Sequence, residues 1–554
     1  MTIPEQICEL LVAGGVRVAF GVPGGQTVPY YQALEASPIE HVLMRDERNA
    51  AVAADAYARV TGTLGVCDAT VGPGATNLVS GLAEAYASSS PVLAIVADLP
   101  RQIEHLRDRG VASQALDQRA ILGAVSKWVG SVQRADALVP VMLHAIRTAT
   151  TGRPGPAVVT VPDDLLRGAE SEALAEIPAA LAPFTFPAHR GAAPADQVRR
   201  AAELLAGAER PLVVAGGGVL LSGATAELAA LAVDHGIPVA TTLGGKGSFE
   251  EEHPLSVGVT GVFGTAAANL ALSRADVVLV LGSKLSQFST LTWTLPSAEQ
   301  TVIHVDLDGE EIGRTGPVAL GVCADVREFL GPLNAALDRD PEVGDWSAGS
   351  RPATTLPEEV ADPRIRPRDV VAEIDRALRP GDVLLCDASL ASGWGSQYYR
   401  VKHAGRSFLA PRGLAGTGWA GGGAIGARMA LPPESHLVAL AGDGSWGYAL
   451  TEIETAVRVG RPIVYVILNN GGLGWIKLIH GELTETSAYG DIDFAAVARA
   501  MGADGIRVEE IGAFGPELAK ALATGRPTLI EVTSNIEDTP VQRAVSPTVE
   551  GAYS

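Results

Sequence analysis

A chain of 554 residues with 47% hydrophobic content is too long for one ordinary core and has room for three or four domains of about 150 residues. Its net charge of −21, with no basic run, argues against nucleic acid as a partner, since phosphate binding ordinarily shows as a surplus of Lys and Arg. No apolar run is long enough to cross a bilayer, no signal-like segment opens the chain, and Cys8, Cys67, Cys323 and Cys386 are scattered without C-x-x-C spacing; the expectation is a cytoplasmic protein with reduced core thiols and no membrane partner.

Thr2-Ile3-Pro4-Glu5 supplies an N-cap, an early proline and a capping-box glutamate, so a helix should start the chain. Short apolar runs then alternate with helical segments: Val16 to Phe20, Val42 to Met44, Gly65 to Ala69, Val92 to Ala97 and Ala157 to Val161. This is the pattern of a doubly wound parallel α/β sheet. Gly21-Val22-Pro23-Gly24-Gly25 and Gly72-Pro73-Gly74-Ala75-Thr76-Asn77 follow strands and open onto helices, where glycine lets backbone approach a ligand. Between them, Glu47 stands at a strand-to-helix junction, where it could equally complement a helix N-terminus. An Ala-, Pro- and Glu-rich passage from Glu170 to about Asp196 reads as a linker. A second α/β block has strands at Leu212 to Ala215, Pro238 to Thr241, Val277 to Leu281 and Val302 to Val305. Its Gly216-Gly217-Gly218 does not continue as G-x-G-x-x-G, because Leu221 occupies the last position, so a dinucleotide fingerprint is missing. A charged, Pro-rich passage from Asp338 to Pro367 leads to a third block that opens with the strand Val383 to Cys386 and closes with the strand Thr528 to Val532. The expected domains are 1–170, 190–340 and 362–540, each a doubly wound parallel sheet.

The most informative stretch lies in the third block. The run Leu437 to Ala441 stops at Gly442-Asp443-Gly444-Ser445, and a second run, Ile463 to Leu468, ends in Asn469-Asn470. Adjacent parallel strands would bring Asp443 and an Asn together at the carboxyl edge of the sheet, where open α/β sheets bind ligands. A carboxylate, an amide carbonyl and close-lying glycine backbone suit Mg²⁺ completed by substrate phosphates.

GDG, 24 residues and NN together resemble the fingerprint of thiamine diphosphate (ThDP) enzymes, and the resemblance to their acetolactate synthase-like branch runs along nearly the whole chain. GVPGG, RDERNAA and GPGATNL follow the order of that family's pyrimidine-binding domain, so the three blocks would be the pyrimidine-binding, central and diphosphate-binding domains. The resemblance implies that Asp443, Asn470 and the Gly472 carbonyl hold Mg²⁺, with Gly442, Gly444, Ser445 and Leu473 beside the diphosphate and Gly24 and Gly25 on the pyrimidine side. It also implies that Glu47 is the catalytic glutamate, which shares a proton with the aminopyrimidine nitrogen and favours the tautomer that removes the thiazolium C2 proton. Gln114 matches a family glutamine that reaches the active site from a Phe-Gln-Glu segment, although Ser113 and Ala115 depart from its flanks. Ser389-Leu390-Ala391 replaces a diphosphate-facing Gly-Gln-His, which leaves backbone N–H groups and the Ser389 hydroxyl as the expected contacts with the cofactor. After Gly416, Thr417 replaces a bulky apolar residue that bends the cofactor into a V. Where flavin-binding relatives have arginine the chain has Lys284, which leans against bound FAD.

Ile479 stands where branched-chain biosynthetic synthases carry tryptophan, which argues against that particular enzyme. Trp475 and Ile476, with Ile479, would shape an apolar substrate pocket, or Trp475 would pack in the core. The implied chemistry is decarboxylation of a 2-oxo acid such as pyruvate, followed by carboligation or acyl transfer to a carbonyl or other small acceptor, in a homodimer or homotetramer whose sites lie between subunits. No His-His pair of the pyruvate-decarboxylase kind is present. Three alternatives stand beside this reading: a 2-oxo acid decarboxylase or C–C lyase on the same scaffold, a cofactor-binding regulatory protein without turnover, and an NAD-dependent dehydrogenase, weakened by the missing fingerprint.

Overall fold

The computed structural model describes residues 1–168, 176–177, 181, 184–340, 346–347, 362–411 and 413–541, apart from the side chain of Asp108. Much of both expected linkers and the tail from residue 542 onward therefore lie outside the described residues.

Three six-stranded sheets follow one another, and every strand pair in them is parallel. The first has the order β2-β1-β3-β4-β6-β5, built from β1 Val18–Gly21, β2 Glu40–Leu43, β3 Gly65–Ala69, β4 Val92–Asp98, β5 Trp128–Ser131 and β6 Ala157–Pro162. The second, β12-β11-β10-β7-β8-β9, uses β7 Pro211–Ala215, β8 Val239–Thr241, β9 Ser256–Val259, β10 Val277–Leu281, β11 Thr301–Asp306 and β12 Leu320–Cys323. The third, β14-β13-β15-β16-β18-β17, uses β13 Val383–Cys386, β14 Phe408–Leu409, β15 Leu437–Gly442, β16 Val464–Asn469, β17 Asp504–Val508 and β18 Thr528–Thr533. Parallel strands need crossovers, and the helices that provide them cover both faces, which is why the central strands read as unbroken apolar runs.

The chain opens with the expected helix, Ile3–Ala13, whose Thr2 and Glu5 form a complete capping box. Five strands are additions to the sequence reading: β5, β9, β12, β14 and β17, all at sheet edges. Three of the four cysteines are buried core residues as expected; Cys323, on edge strand β12, is exposed instead, because an edge strand has no neighbour on its outer side.

The first and third sheets share one hydrophobic core. Val18, Phe20 and Val96 belong to the same buried cluster as Leu385, Ala439 and Ile467. Between the sheets the alanine-rich helix Glu47–Thr61 lies against the glycine-rich helix Trp419–Ala430. A Cβ on Gly426 would fall 2.0 Å from the Ala53 carbonyl oxygen, and one on Gly422 would fall 2.7 Å from that of Asn49. Glycine there permits near backbone-to-backbone contact, which fixes the first domain against the third within a single chain. Among the described residues no helix is long and apolar enough to cross a membrane.

Candidate active site

Strands β15 and β16 run side by side with Gly442 opposite Leu468, so their carboxyl ends deliver Asp443 and Asn470 to one place. Asp443 is 6% exposed. Its Oδ1 accepts from the Gly444 N–H at 2.8 Å, and Oδ2 accepts from the N–H groups of Gly471 at 2.7 Å and Gly472 at 3.2 Å. The Asn470 amide oxygen accepts from the same Gly472 N–H at 3.2 Å. Burial pushes the Asp443 carboxyl above its ordinary range, against those backbone donors. Among the described residues no Lys or Arg pairs with it; the Arg364 guanidinium instead reaches the Asn470 carbonyl at 3.2 Å. A buried carboxylate next to an amide oxygen, with no ion-pair partner within salt-bridge distance among the described residues, fits a divalent cation. Among the described residues there is no cluster of three or more His, Cys, Asp or Glu suited to a metal, so a cation here would depend on amide and backbone oxygens.

The glycines around Asp443 are sterically required. A Cβ on Gly444 would lie 2.9 Å from the Tyr489 ring and 3.1 Å from Leu473, and one on Gly472 would lie 2.8 Å from Leu483. Ser445 is turned inward, donating its hydroxyl to the Gly442 carbonyl at 3.0 Å and accepting the Gly442 N–H at 3.2 Å. Leu473 caps the Gly474–His480 helix, its N–H donating to the Ser487 carbonyl at 2.9 Å. Ser389, at the end of β13, has φ 68° and ψ −147°, a conformation in which glycine is normal and serine is strained. The Gly416–Thr417 loop ends at Gly418, whose N–H donates to Asp387 at 3.0 Å, and Thr417 is exposed. Asp387 is fully buried and receives N–H groups from Ala388, Gly418 and Ala420; burial lifts its carboxyl to about 6.

The residues expected on the pyrimidine side gather at the carboxyl ends of β1, β2 and β3. Glu47 is buried, and its Oε2 accepts from the Asn77 amide at 2.9 Å. A Cβ on Gly74 would lie 3.1 Å from Glu47 Oε1 and 2.9 Å from Thr70, and one on Gly24 would strike Thr70 at 2.3 Å. The Thr70 hydroxyl donates to Gln26 Oε1 at 2.8 Å, and Gln26 Nε2 donates to Gln114 Oε1 at 2.9 Å. Gln114, with φ 61°, is thus drawn to the same mouth as Gly24 and Glu47, while the Gly25 carbonyl accepts from Arg167. Gln26, Thr70 and Asn77 were not singled out from sequence, although Asn77 ends the GPGATN motif and Gln26 directly follows GVPGG.

The residues expected to shape a substrate pocket do not converge within one chain. Trp475 packs on the central domain, its ring 5.7 Å from Phe263 and 6.2 Å from Phe288, whereas Ile476 and Ile479 are 44% and 55% exposed. Val541, the last described residue, joins the Trp475 cluster. In the central domain the crevice at the switch in strand order, between β7 and β10, is closed: the Gly218 N–H donates to the Gly282 carbonyl at 2.9 Å, and a Cβ on Gly218 would lie 2.6 Å from Gly282 Cα. The cavity left beside it holds about 80 Å³ and is crossed by an Arg153–Glu311 ion pair at 3.0 Å and by Lys284, which donates to the Ala87 carbonyl. Burial brings the Lys284 ammonium down to about 8. Ordinary ligand clefts occupy roughly 300–1,000 Å³, several times more than this cavity.

Three parallel sheets with a GDG turn and an Asn-Asn turn meeting at one carboxyl edge define the class, and the family descriptions agree. Residues 1–121 match the N-terminal TPP binding domain, 198–333 the central domain and 387–532 the C-terminal TPP binding domain of thiamine pyrophosphate enzymes, TPP being another name for ThDP. The chain belongs to this family and is a ThDP-dependent enzyme of acetolactate synthase-like type. It is 34% identical to the probable acetolactate synthase large subunit of Methanocaldococcus jannaschii, over 95% of this chain and 91% of that protein. It is 35% identical to the acetolactate synthase large subunit IlvB1 of Mycobacterium tuberculosis, over 92% of this chain and 84% of the other. Relatives with large-subunit names stand against the expectation, drawn from Ile479, that the branched-chain biosynthetic enzyme is excluded.

Proposed function

We propose that the chain decarboxylates pyruvate or a similar 2-oxo acid and passes the remaining acyl unit to a carbonyl or other small acceptor, with Mg²⁺ anchoring ThDP. The observation that carries this reading is the meeting of Asp443 and Asn470 at one sheet edge while Glu47, Asn77 and Gln114 meet at another. Bound ThDP supplies a carbon nucleophile and an electron sink for the loss of CO₂. Asp443, Asn470 and the Gly472 carbonyl hold the cation. Glu47 keeps a proton at the pyrimidine nitrogen, and the Asn77 amide on its Oε2 fixes the direction in which Oε1 points. Gln114, tethered through Gln26 and Thr70, lies beside the place where substrate arrives.

In this reading the two residue sets serve one cofactor only across a two-fold axis, so the enzyme is a homodimer or a pair of dimers. That assembly also gives the exposed Ile476 and Ile479 a cleft to line. The closed crevice beside Gly282 supports function without bound FAD. Ile479 in place of tryptophan supports a small acceptor rather than a branched-chain biosynthetic one, and the large-subunit relatives are the competing indication. The test is mass spectrometry of the released cofactors with product analysis on pyruvate alone. Acetolactate supports carboligation; acetaldehyde moves the assignment to the decarboxylase alternative; NAD or no cofactor refutes the reading.

A further inference from the structure

We infer that Glu84, a first-domain residue outside every motif described above, is a positioning residue that latches the third-domain loop carrying Gly416 and Thr417 into its cofactor-holding shape. The inference rests on the ThDP reading and adds a residue to it.

Glu84 lies on the helix Pro73–Ala87, and its side chain is 2% exposed. Its carboxylate accepts three consecutive backbone N–H groups from the other domain: Gly413 at 3.1 Å on Oε1, then Leu414 and Ala415, both at 2.8 Å, on Oε2. Oε1 also accepts from Arg59 Nη2 at 3.1 Å and from the Ser88 hydroxyl at 2.6 Å. Successive N–H groups converge on one point only when the backbone folds into a concavity, and such concavities are anion sites. Ala415 provides the bend: it adopts φ 62°, which an alanine does not hold without an external restraint. The anion in this concavity is Glu84 itself.

The latch is braced on both sides. Arg59, which offsets the charge of Glu84, donates Nη1 to the Ala410 carbonyl at 3.1 Å, ahead of the loop. It also pairs with Asp55 at 2.7 Å, and Asp55 accepts the Trp419 indole N–H at 3.1 Å, beyond the loop. Gly416, next along, has its nearest neighbour in Ser80 Oγ of the same first-domain helix, 3.4 Å from where a Cβ would sit. The loop therefore takes its shape from the first domain rather than from its own sequence, which is rich in glycine. Because Thr417 lacks the bulk of the residue it replaces, an externally imposed loop shape is what would keep its backbone against the cofactor.

The test compares the wild-type enzyme with Glu84→Gln, which places an amide N–H₂ against backbone donors, and with Glu84→Asp, which keeps the charge beside Arg59 but withdraws the oxygens and serves if Gln does not fold. Amide exchange at residues 413–415 and the Kd for ThDP in the presence of Mg²⁺ are read alongside kcat at saturating ThDP. Exchange at those amides is expected to be faster and the Kd weaker, each by roughly tenfold or more, with kcat changed by no more than about twofold. A purely structural role would lower the melting temperature and leave this split between Kd and kcat absent. Folded variants that bind ThDP as the wild type does overturn the inference. A wild-type enzyme that binds no ThDP overturns the functional reading instead, and the exchange rates at 413–415 distinguish the two failures.

Discussion

Glu47 has one oxygen committed to Asn77 and the other facing Gly74, a geometry that aims a carboxyl rather than merely burying it. Glu47→Gln is expected to abolish C2–H exchange of bound ThDP while leaving its affinity within a few-fold; unchanged exchange in quenched-flow deuterium NMR would defeat the assignment of Glu47. Asn77→Ala removes only the orienting hydrogen bond, so exchange should slow by roughly tenfold, the equivalent of about 1.4 kcal/mol. At Ser389 the serine occupies a glycine conformation at a cost of ~1–3 kcal/mol. Ser389→Gly is therefore predicted to raise the melting temperature without loss of turnover, and a lower melting temperature would show that the serine hydroxyl matters more than the strain. The pyrimidine-side set was only partly legible at this scale. Glu47 and the glycine loops were named from motif order, but Gln26 and Thr70 matter through contacts that span 44 and 88 positions.

At the scale of elements, the strands that sequence reading missed all lie at sheet edges, although the half-exposed edge strand β2 was found. β4, with the sequence VLAIVAD and buried at all seven positions, announces itself as an apolar run; β5, β9, β12 and β17 are half-exposed edge strands, and β14 has two residues. An edge strand has one neighbour, so its sequence is freed from the apolar requirement by which central strands are recognised. The helix Glu452–Val459 carries a pH dependence. Glu452 is fully buried between the domains, accepting the Arg45 N–H at 3.2 Å, the Asn49 amide at 3.0 Å and the Thr455 hydroxyl at 2.7 Å, and burial lifts its carboxyl from 4.5 to about 7. The folded protein keeps this proton up to about pH 7, whereas the unfolded chain releases it near 4.5. Between those values the folded state binds more protons, so stability is greatest at the acid end and falls as pH rises through 7. Asp387 and Asp306, both lifted to about 6, add to the same slope. Glu452→Gln should flatten that slope and leave the variant more stable than the parent at pH 8, by up to ~3 kcal/mol. A destabilised variant at pH 8 in urea titration would mean that the ionised carboxylate is itself stabilising.

For the whole molecule the decisive question is which chain contributes which half of a site. The first and third domains share a core and are locked by helix contact, so their relative placement within a chain is rigid. If each site draws Glu47 from one chain and Asp443 from another, mixing refolded Glu47→Gln and Asp443→Asn enzymes produces mixed dimers with one intact site. Each parent should be inactive, with the Asp443 variant losing roughly 100-fold or more in ThDP affinity, and the random mixture should recover about a quarter of wild-type activity. No recovery on mixing would place both halves of the site in a single chain.

The sequence alone determined the class of fold, the order of the domains and the two turns that deliver Asp443 and Asn470, because these rest on local signals: apolar runs in central strands, glycines where backbone bends sharply, and a fixed interval between two turns. Cys323, the edge strands, the destination of Trp475 and the closure of the crevice beside Gly282 were decided by tertiary structure. So was the grip of Glu84 on a loop more than 300 positions away. Each of those depends on which surfaces meet when packed sheets exclude water, and nothing in the local pattern of a segment encodes the partner it will meet.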